Sequence, residues 1–500
     1  MMKRSRTCWA AAAIVLGLAA GLGGCSSSSD DPVEAVGEGF HGKADLANTR
    51  NASSSLEAEN VADLTLAWSR PLRGEVQGTV FTGSPVVTGN VAYLQGPSSD
   101  VQAIDLRSGR TLWEKRYGIP AGAPSGVTVA EELVFGATPT NAFALEARTG
   151  KEIWSVKLAH SSERIEMAPG YHDGRVYFST RPYREKGGEV GVLWALDAKT
   201  GKRIWHFDTV PRGLWGHPDV NFGGGLSRPP AFDGEGSIYV GTGNAGPIPG
   251  TQEFPWGSSR PGPNLYTDSV VKLDEKTGRV DWHYQVTPHG ICNWDMGGPL
   301  LAESDGRRIV IAAGLSGIVV ALDRESGKLL WKQPVGVHNG HDDDGLVAMR
   351  GEFEDLDLPM TVSPGVFGGV GGFPALAGST LFVPVVNSPT RLVTQESAGL
   401  TGSESGELVA LDVGTGAVKW TQRFSTPLYG SVLASNDLVF ASSFDGKAYA
   451  FDGESGKRLW SEQLPSYGAG GLTAVGDLLL IRSSYSAEGA PQELLAYRIS

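Results

Sequence analysis

Short apolar runs with period-two alternation dominate the chain, and they come in pairs broken by glycine turns. Stretches such as GRVYFST (174–180), SIYVGTG (237–243) and TLFVPVV (380–386) each carry β-branched and aromatic residues over about the length of one strand. Sustained 3.6-residue periodicity is missing, so the pattern predicts an all-β chain of many short strands. One eleven-residue unit then recurs: AIDLRSGRTLW (103–113), ALEARTGKEIW (144–154), ALDAKTGKRIW (195–205), KLDEKTGRVDW (272–282), ALDRESGKLLW (321–331), ALDVGTGAVKW (410–420) and AFDGESGKRLW (450–460). Its first residues end a buried strand. The Asp-x-x-Thr/Ser-Gly portion makes a tight turn, with Asp bonding the backbone ahead and Gly taking positive φ. The residues up to Trp start the next strand, and the indole is placed to cover the seam with a neighbouring sheet.

An eighth copy is split between the ends. LTLAWSRPL (64–72) supplies the strand bearing Trp68, and ELLAYRIS (493–500) supplies the strand before it. Pairing them in one sheet removes two exposed edges. The expected fold is therefore an all-β, eight-bladed β-propeller of four-stranded blades, closed by pairing of the N- and C-terminal strands. The unit resembles the tryptophan-docking repeat of quinoprotein dehydrogenases and of related outer-membrane assembly lipoproteins, over nearly all of residues 60–500. Such a resemblance speaks for fold far more than for function.

Most steps between repeat tryptophans are about 40–50 residues, one blade each. Two are far longer, Trp205 to Trp282 and Trp331 to Trp420. Extra residues in such a fold go into loops at one face, where sites are built. Within the first insertion and just beyond it, GTGN, RPGPNLYTDS, WHYQVTPH and WD follow one another as in the alcohol-oxidising quinoproteins. That resemblance implies a Ca²⁺ ion held by Glu189 (or Glu185), Asn244 and Asp295, beside pyrroloquinoline quinone (PQQ). It makes Asp295 the base that takes the alcohol proton, and puts Gly243, Asn244 and Trp294 next to the quinone. The residue types suit that chemistry, since Ca²⁺ takes carboxylate and amide oxygens and a base beside a cation can stay ionised. The alternative is Asp295 as a structural residue capping a loop beneath Trp294.

The departures from that pattern are specific. The quinone-stacking tryptophan of the family maps to Leu226, or to Arg228 if the glycines are slid into register. Trp215 replaces it only if the loop folds differently. The adjacent-cysteine ring of the family cannot form, and its basic quinone contact maps to Leu315. Gly297 stands where lanthanide users carry a second aspartate, which favours Ca²⁺. In the second insertion, HNGHDDDG (338–345) offers clustered imidazoles and carboxylates, either as metal ligands or as a solvated loop. PGVFGGVGGFPAL (364–376) lacks the Lys-Ser/Thr of a phosphate loop. Its glycines suit close backbone approach near the axis, and it is similar to a segment of polyvinyl-alcohol-type dehydrogenases.

Composition and charge sharpen the picture. Lys3, Arg4 and Arg6 precede an apolar run from about Trp9 to Leu22 and small residues up to Cys25, the pattern of an export signal over 1–24. Leu22-Gly23-Gly24-Cys25 resembles a bacterial lipobox, implying a lipidated Cys25, a tether over 25–56 and a single propeller domain over 57–500. The protein is then expected to be exported and anchored to the cell membrane or envelope. Three cysteines leave Cys292 without a disulfide partner, and no CxxCH occurs, so no haem is expected. A net charge of −13 argues against nucleic acid as a partner. Two functions follow: a PQQ- and Ca²⁺-dependent oxidoreductase passing electrons from an alcohol to a separate carrier, or a non-catalytic scaffold that binds envelope proteins or a ligand.

Overall fold

The repeat unit behaves as its residues dictate. In ALDAKTGKRIW, Asp197 ends the strand Val192–Asp197 and accepts hydrogen bonds from the Thr200 backbone (2.8 Å) and hydroxyl (2.6 Å). Those bonds, the Thr200 hydroxyl first, hold its carboxyl below the usual range. The next strand, Arg203–Asp208, resumes with a bulge that shifts register opposite Ala195 and Leu196. Trp205 then leaves its own sheet: its indole N–H donates to Glu275 O of the following sheet at 3.0 Å. The ring lies on Gly278, where φ is +72° and a β-carbon would come within 2.4 Å of the indole. Seven seams share this design. Trp68, Trp113, Trp154, Trp282, Trp331 and Trp420 each donate to a carbonyl of the next repeat and cover its turn glycine.

The computed structural model describes residues 45–72, 83–121, 126–183, 187–466, 470–483 and 492–499, all within one compact unit. Among them stand eight antiparallel sheets built on four strands each, two of which carry one extra strand. The two ends of the chain share a sheet, as expected: Leu64–Pro71 pairs antiparallel with Glu493–Ile499, Trp68 facing Ala496. The protein is all-β. Apolar clusters sit between successive sheets, for example Leu193, Phe207, Ile238 and Val271 around Tyr177 and Phe232.

The N-terminal segment differs from the expected tether. Residues 45–55 cross the inner strands one after another. Phe232, Leu301, Leu376 and Ala434 donate backbone N–H groups to Leu46, Ala47, Thr49 and Arg50, and Ser55 donates to Gly476. Asn51–Ala52 pairs in parallel with Leu433–Ser435. The folded domain therefore begins by residue 45 and not at 57, because inner-strand N–H groups with no sheet partner must be satisfied. Cys25 and Glu185 lie outside the described residues.

Candidate functional site

Both long insertions contribute to one cavity of about 1000 Å³, open at one end of the strands. Its walls include Asp219, Val220 and Phe222, the turn Pro247–Thr251, Val366, Phe367, Thr390 and the segment Gln395–Leu400. Glu166, Arg181, Asn244, Asn293 and Asp295 also face it. The segment 45–55 lies at the other end. Its partners Leu301, Leu376 and Ala434 sit level with Val310, Leu381 and Val439 near the start of the second strands, whereas Gly297 binds Ala313 at the far end of one.

Asp295 is held from several sides. Its carbonyl accepts from Leu315 N–H at 3.0 Å, and the next residue, Met296, donates to Thr242 O at 3.0 Å. Its carboxylate is 10% exposed. Oδ1 accepts the backbone N–H of Asn244 at 2.7 Å, and Oδ2 accepts Arg181 Nη1 at 3.0 Å. Arg181, near the end of the strand Arg175–Pro182, also places Nε 3.7 Å from Glu166 Oε2. The Asp295 carboxylate raises the Arg181 pKa above its ordinary value, against the opposing effect of burial. Burial raises the Glu166 carboxyl, with Arg181 and Arg164 pulling the other way.

Behind this pair lies a cationic shaft. Arg228 stacks 4.6 Å from the Phe373 ring centroid and donates to Gly371 O; Arg50 approaches the same ring at 5.4 Å and donates to Val432 O at 2.6 Å. Burial, then mutual repulsion, lowers Arg50 to about 9; burial lowers Arg228 to about 10, partly offset by Asp295. Both remain cations at neutral pH. The glycines of 364–376 do allow close backbone approach: a β-carbon on Gly369 would meet Leu315 O at 2.1 Å. Beside Asn244 sits Asp268, wholly buried at φ +50°, whose N–H binds Gly243 O at 3.2 Å. Neither of its carboxylate oxygens has a hydrogen-bond partner. Burial, then Asp295, raises its pKa well above the usual range, opposed by Arg260.

The expected site residues fare unequally. Asp295, Asn244 and Gly243 meet; a β-carbon on Gly243 would sit 3.1 Å from Asp295 Oδ1. Trp294 is buried, not beside the cavity: it packs with Trp256, Ile291 and Leu392 in an apolar cluster between the insertions, its N–H 3.4 Å from Pro364 O. Leu226 is corrected outright. It is fully buried in the core with Leu193 and Ile238, because GGGLSRPP turns its side chain between sheets. Trp215 does not line the cavity; Phe222 and Phe367 do.

Among the described residues the expected calcium ligands are not gathered. Glu189 accepts from the Ser162 hydroxyl and does not line the cavity, Asn244 donates its amide N–H to Ala245 O at 2.9 Å, and Asp295 is already bonded at both oxygens. HNGHDDDG forms two separate pairs, His338 with Asp342 and His341 with Asp344, each at 2.8 Å. Among the described residues no three His, Cys, Asp or Glu side chains gather as a metal site. Cys292 is buried, its thiol pushed up to about 12 by burial first and Asp344 second. Arg181 and Glu166 escaped sequence reasoning; the signal available was one arginine directly after the buried run VYFST.

Known proteins resemble this chain over most of its length. The family model described as outer membrane protein assembly factor BamB, a PQQ-repeat model, matches residues 42–125, 98–244 and 360–499. The model for the β-propeller domain of glucose, ethanol and alcohol dehydrogenases matches 228–341. The chain belongs to the PQQ-repeat β-propeller family. It is 28% identical to a quinohemoprotein alcohol dehydrogenase of Comamonas testosteroni, over 83% of this chain and 68% of that one. It is 27% identical to lupanine 17-hydroxylase [cytochrome c] of a Pseudomonas species, covering 82% and 67%. With the quinoprotein alcohol dehydrogenase PedH of Pseudomonas putida the figures are 29%, 82% and 79%. The chain thus spans about two thirds of the first two relatives. Among solved structures, the quinohemoprotein alcohol dehydrogenase ADHIIG of Pseudomonas putida superposes at TM-score 0.80 with 22% identity, covering 93% of this chain and 80% of that one. BamB of Moraxella catarrhalis superposes at 0.55 with 15% identity, covering 87% and 98%. These establish the propeller fold. They also correct one expectation: the sequence led to no haem, yet two of these relatives are named as a quinohemoprotein or with cytochrome c.

Proposed function

We propose that the chain is a PQQ-dependent dehydrogenase that oxidises an alcohol or similar hydroxyl compound. The observation that carries this is Asp295 facing the cavity, held by Asn244 and Arg181, with Phe222 and Phe367 in the same lining. The volume and the mixed lining suit a flat aromatic ligand with anionic groups. When bound, the quinone supplies the two-electron acceptor. The chain's own residues do the rest. Asp295 accepts the hydroxyl proton at a carboxylate oxygen. Arg181 orients that carboxylate by donating to it. Phe222 and Phe367 would give the bound group aromatic surface to pack on, and the guanidinium of Arg228 reaches Gly371 O, next to Leu315, where the family's basic contact is lost.

The finer architecture belongs to the same proposal. The eight sheets are eight blades of one ring, closed by the shared terminal sheet. The protein is exported and tethered to the bacterial envelope through lipid on Cys25, and reduced quinone passes electrons to a carrier.

Calorimetric titration of PQQ into the full chain tests the function. Saturable binding, with dye-coupled alcohol oxidation that falls about 10²–10⁴-fold in Asp295→Asn, is expected. Full activity in that variant sinks the role of the base. A scaffold for envelope proteins is the second reading, favoured by the BamB description of the model matching most of the chain; it requires no quinone binding at all.

A further inference from the structure

We infer that the resident cation of this site is the Arg181 guanidinium, not a metal ion, so that ligand binding here is calcium-independent. The inference deepens the proposed function and rests on it for the identity of the ligand. The geometry is specific. A calcium ion needs six to eight oxygens at about 2.3–2.6 Å. Among the described residues, Asp295 is the one acidic group of the expected set that reaches the cavity, and its two oxygens are bonded to Asn244 N–H and to Arg181. Glu189 is committed to Ser162. A guanidinium 3.0 Å from Oδ2 stands within contact distance of the carboxylate, and an ion placed there would meet it at close range with like charge. Glu166 supplies the second carboxylate on the other side of Arg181, at 3.7 Å, so the arginine is bracketed as a metal would be. The planar fork also offers donors towards the cavity that a spherical ion does not, which suits carboxylate or carbonyl oxygens of a bound ligand.

Calcium binding and quinone binding are measured separately. Full-chain protein stripped with chelator is equilibrated with radioactive Ca²⁺, and in parallel with Tb³⁺ read by tryptophan-sensitised luminescence. The wild type is expected to hold no Ca²⁺ that Asp295→Asn removes. Arg181→Ala is expected to gain one site, lost again in the double variant Arg181→Ala/Asp295→Asn. PQQ affinity of the wild type is expected to change by less than about threefold between chelator and added Ca²⁺. One Ca²⁺ per wild-type chain, abolished by Asp295→Asn, overturns the inference. If Arg181→Ala does not fold, Arg181→Lys keeps the charge, and the wild type against Asp295→Asn still decides. The calcium measurements need no quinone, so absence of PQQ binding defeats the proposed function alone.

Discussion

The seams between sheets and the floor of the cavity use the same few residue types in opposite ways. At each seam an acidic residue, aspartate in all but the Glu146 turn, sits in a turn bonded by its own neighbours within three residues, and a tryptophan lies on a glycine one repeat away. Geometry there is local and repeated, so its cost is met by the same short sequence each time. At the cavity, Asp295 is bonded to residues 51 and 114 positions away, Glu166 approaches the same arginine, and nothing repeats. Regular seams let an irregular site exist. The rigid sheets hold Arg181 and Asn244 at strand ends, and the insertions fold against them around the apolar cluster of Trp256, Trp294 and Leu392.

The largest effect is expected at a seam. Gly278→Val places a branched side chain at φ +72° against the Trp205 ring, and both strain and overpacking count against it. A loss of about 3 kcal/mol or more, seen as aggregation or a much lower thermal midpoint, is expected. An unchanged midpoint would mean the seams do not carry stability. By contrast, Asp295→Asn is expected to leave the midpoint nearly unmoved while alcohol oxidation is lost.

Asp268 sharpens the contrast from the other side. Its folded pKa lies above its unfolded value, so the folded state retains a proton that the unfolded chain releases. Stability from this group is therefore greatest below the unfolded pKa and falls as pH rises from there towards the folded pKa. Asp268→Asn is expected to stabilise the protein by about 1–3 kcal/mol at neutral pH, by removing a buried carboxylate without partners. That gain should shrink towards zero below about pH 4. Denaturant midpoints across pH measure it; a destabilised variant at neutral pH would show that the carboxylate has a partner of its own.

The smallest effect belongs to a turn. Asp197→Ala removes the bonds from Thr200, with an expected cost of about 0.5–1 kcal/mol. Because the folded Asp197 carboxyl lies low, its contribution is present above the unfolded pKa and is lost as pH falls through the folded value. Equal midpoints for variant and wild type at acid pH, and a gap at neutral pH, are the expected pattern.

Much of the fold was legible from the chain alone, for a physical reason. Strand alternation, the Asp-x-x-Thr/Ser-Gly turn and the docking tryptophan all act within one repeat or between neighbours, so residue order encodes them directly. Even the shared terminal sheet followed from Trp68 and ELLAYRIS, since a split repeat has edges to satisfy. The site was legible only in part. GTGN and WD pointed to Asn244 and Asp295, which do meet. Trp294 and Leu226 were expected beside the quinone, but their apolar side chains turn into the core. Glu189 found a hydroxyl instead of the cavity. Arg181 and Glu166 come from one sheet, Glu166 directly after its strand Glu163–Ile165, but Phe222 and Arg50 come from an insertion and the N-terminal segment, and long-range proximity has no periodic signature in the sequence. Local hydrogen bonds and burial periodicity made this chain a propeller; which charge faces Asp295 was decided only when distant loops closed around it.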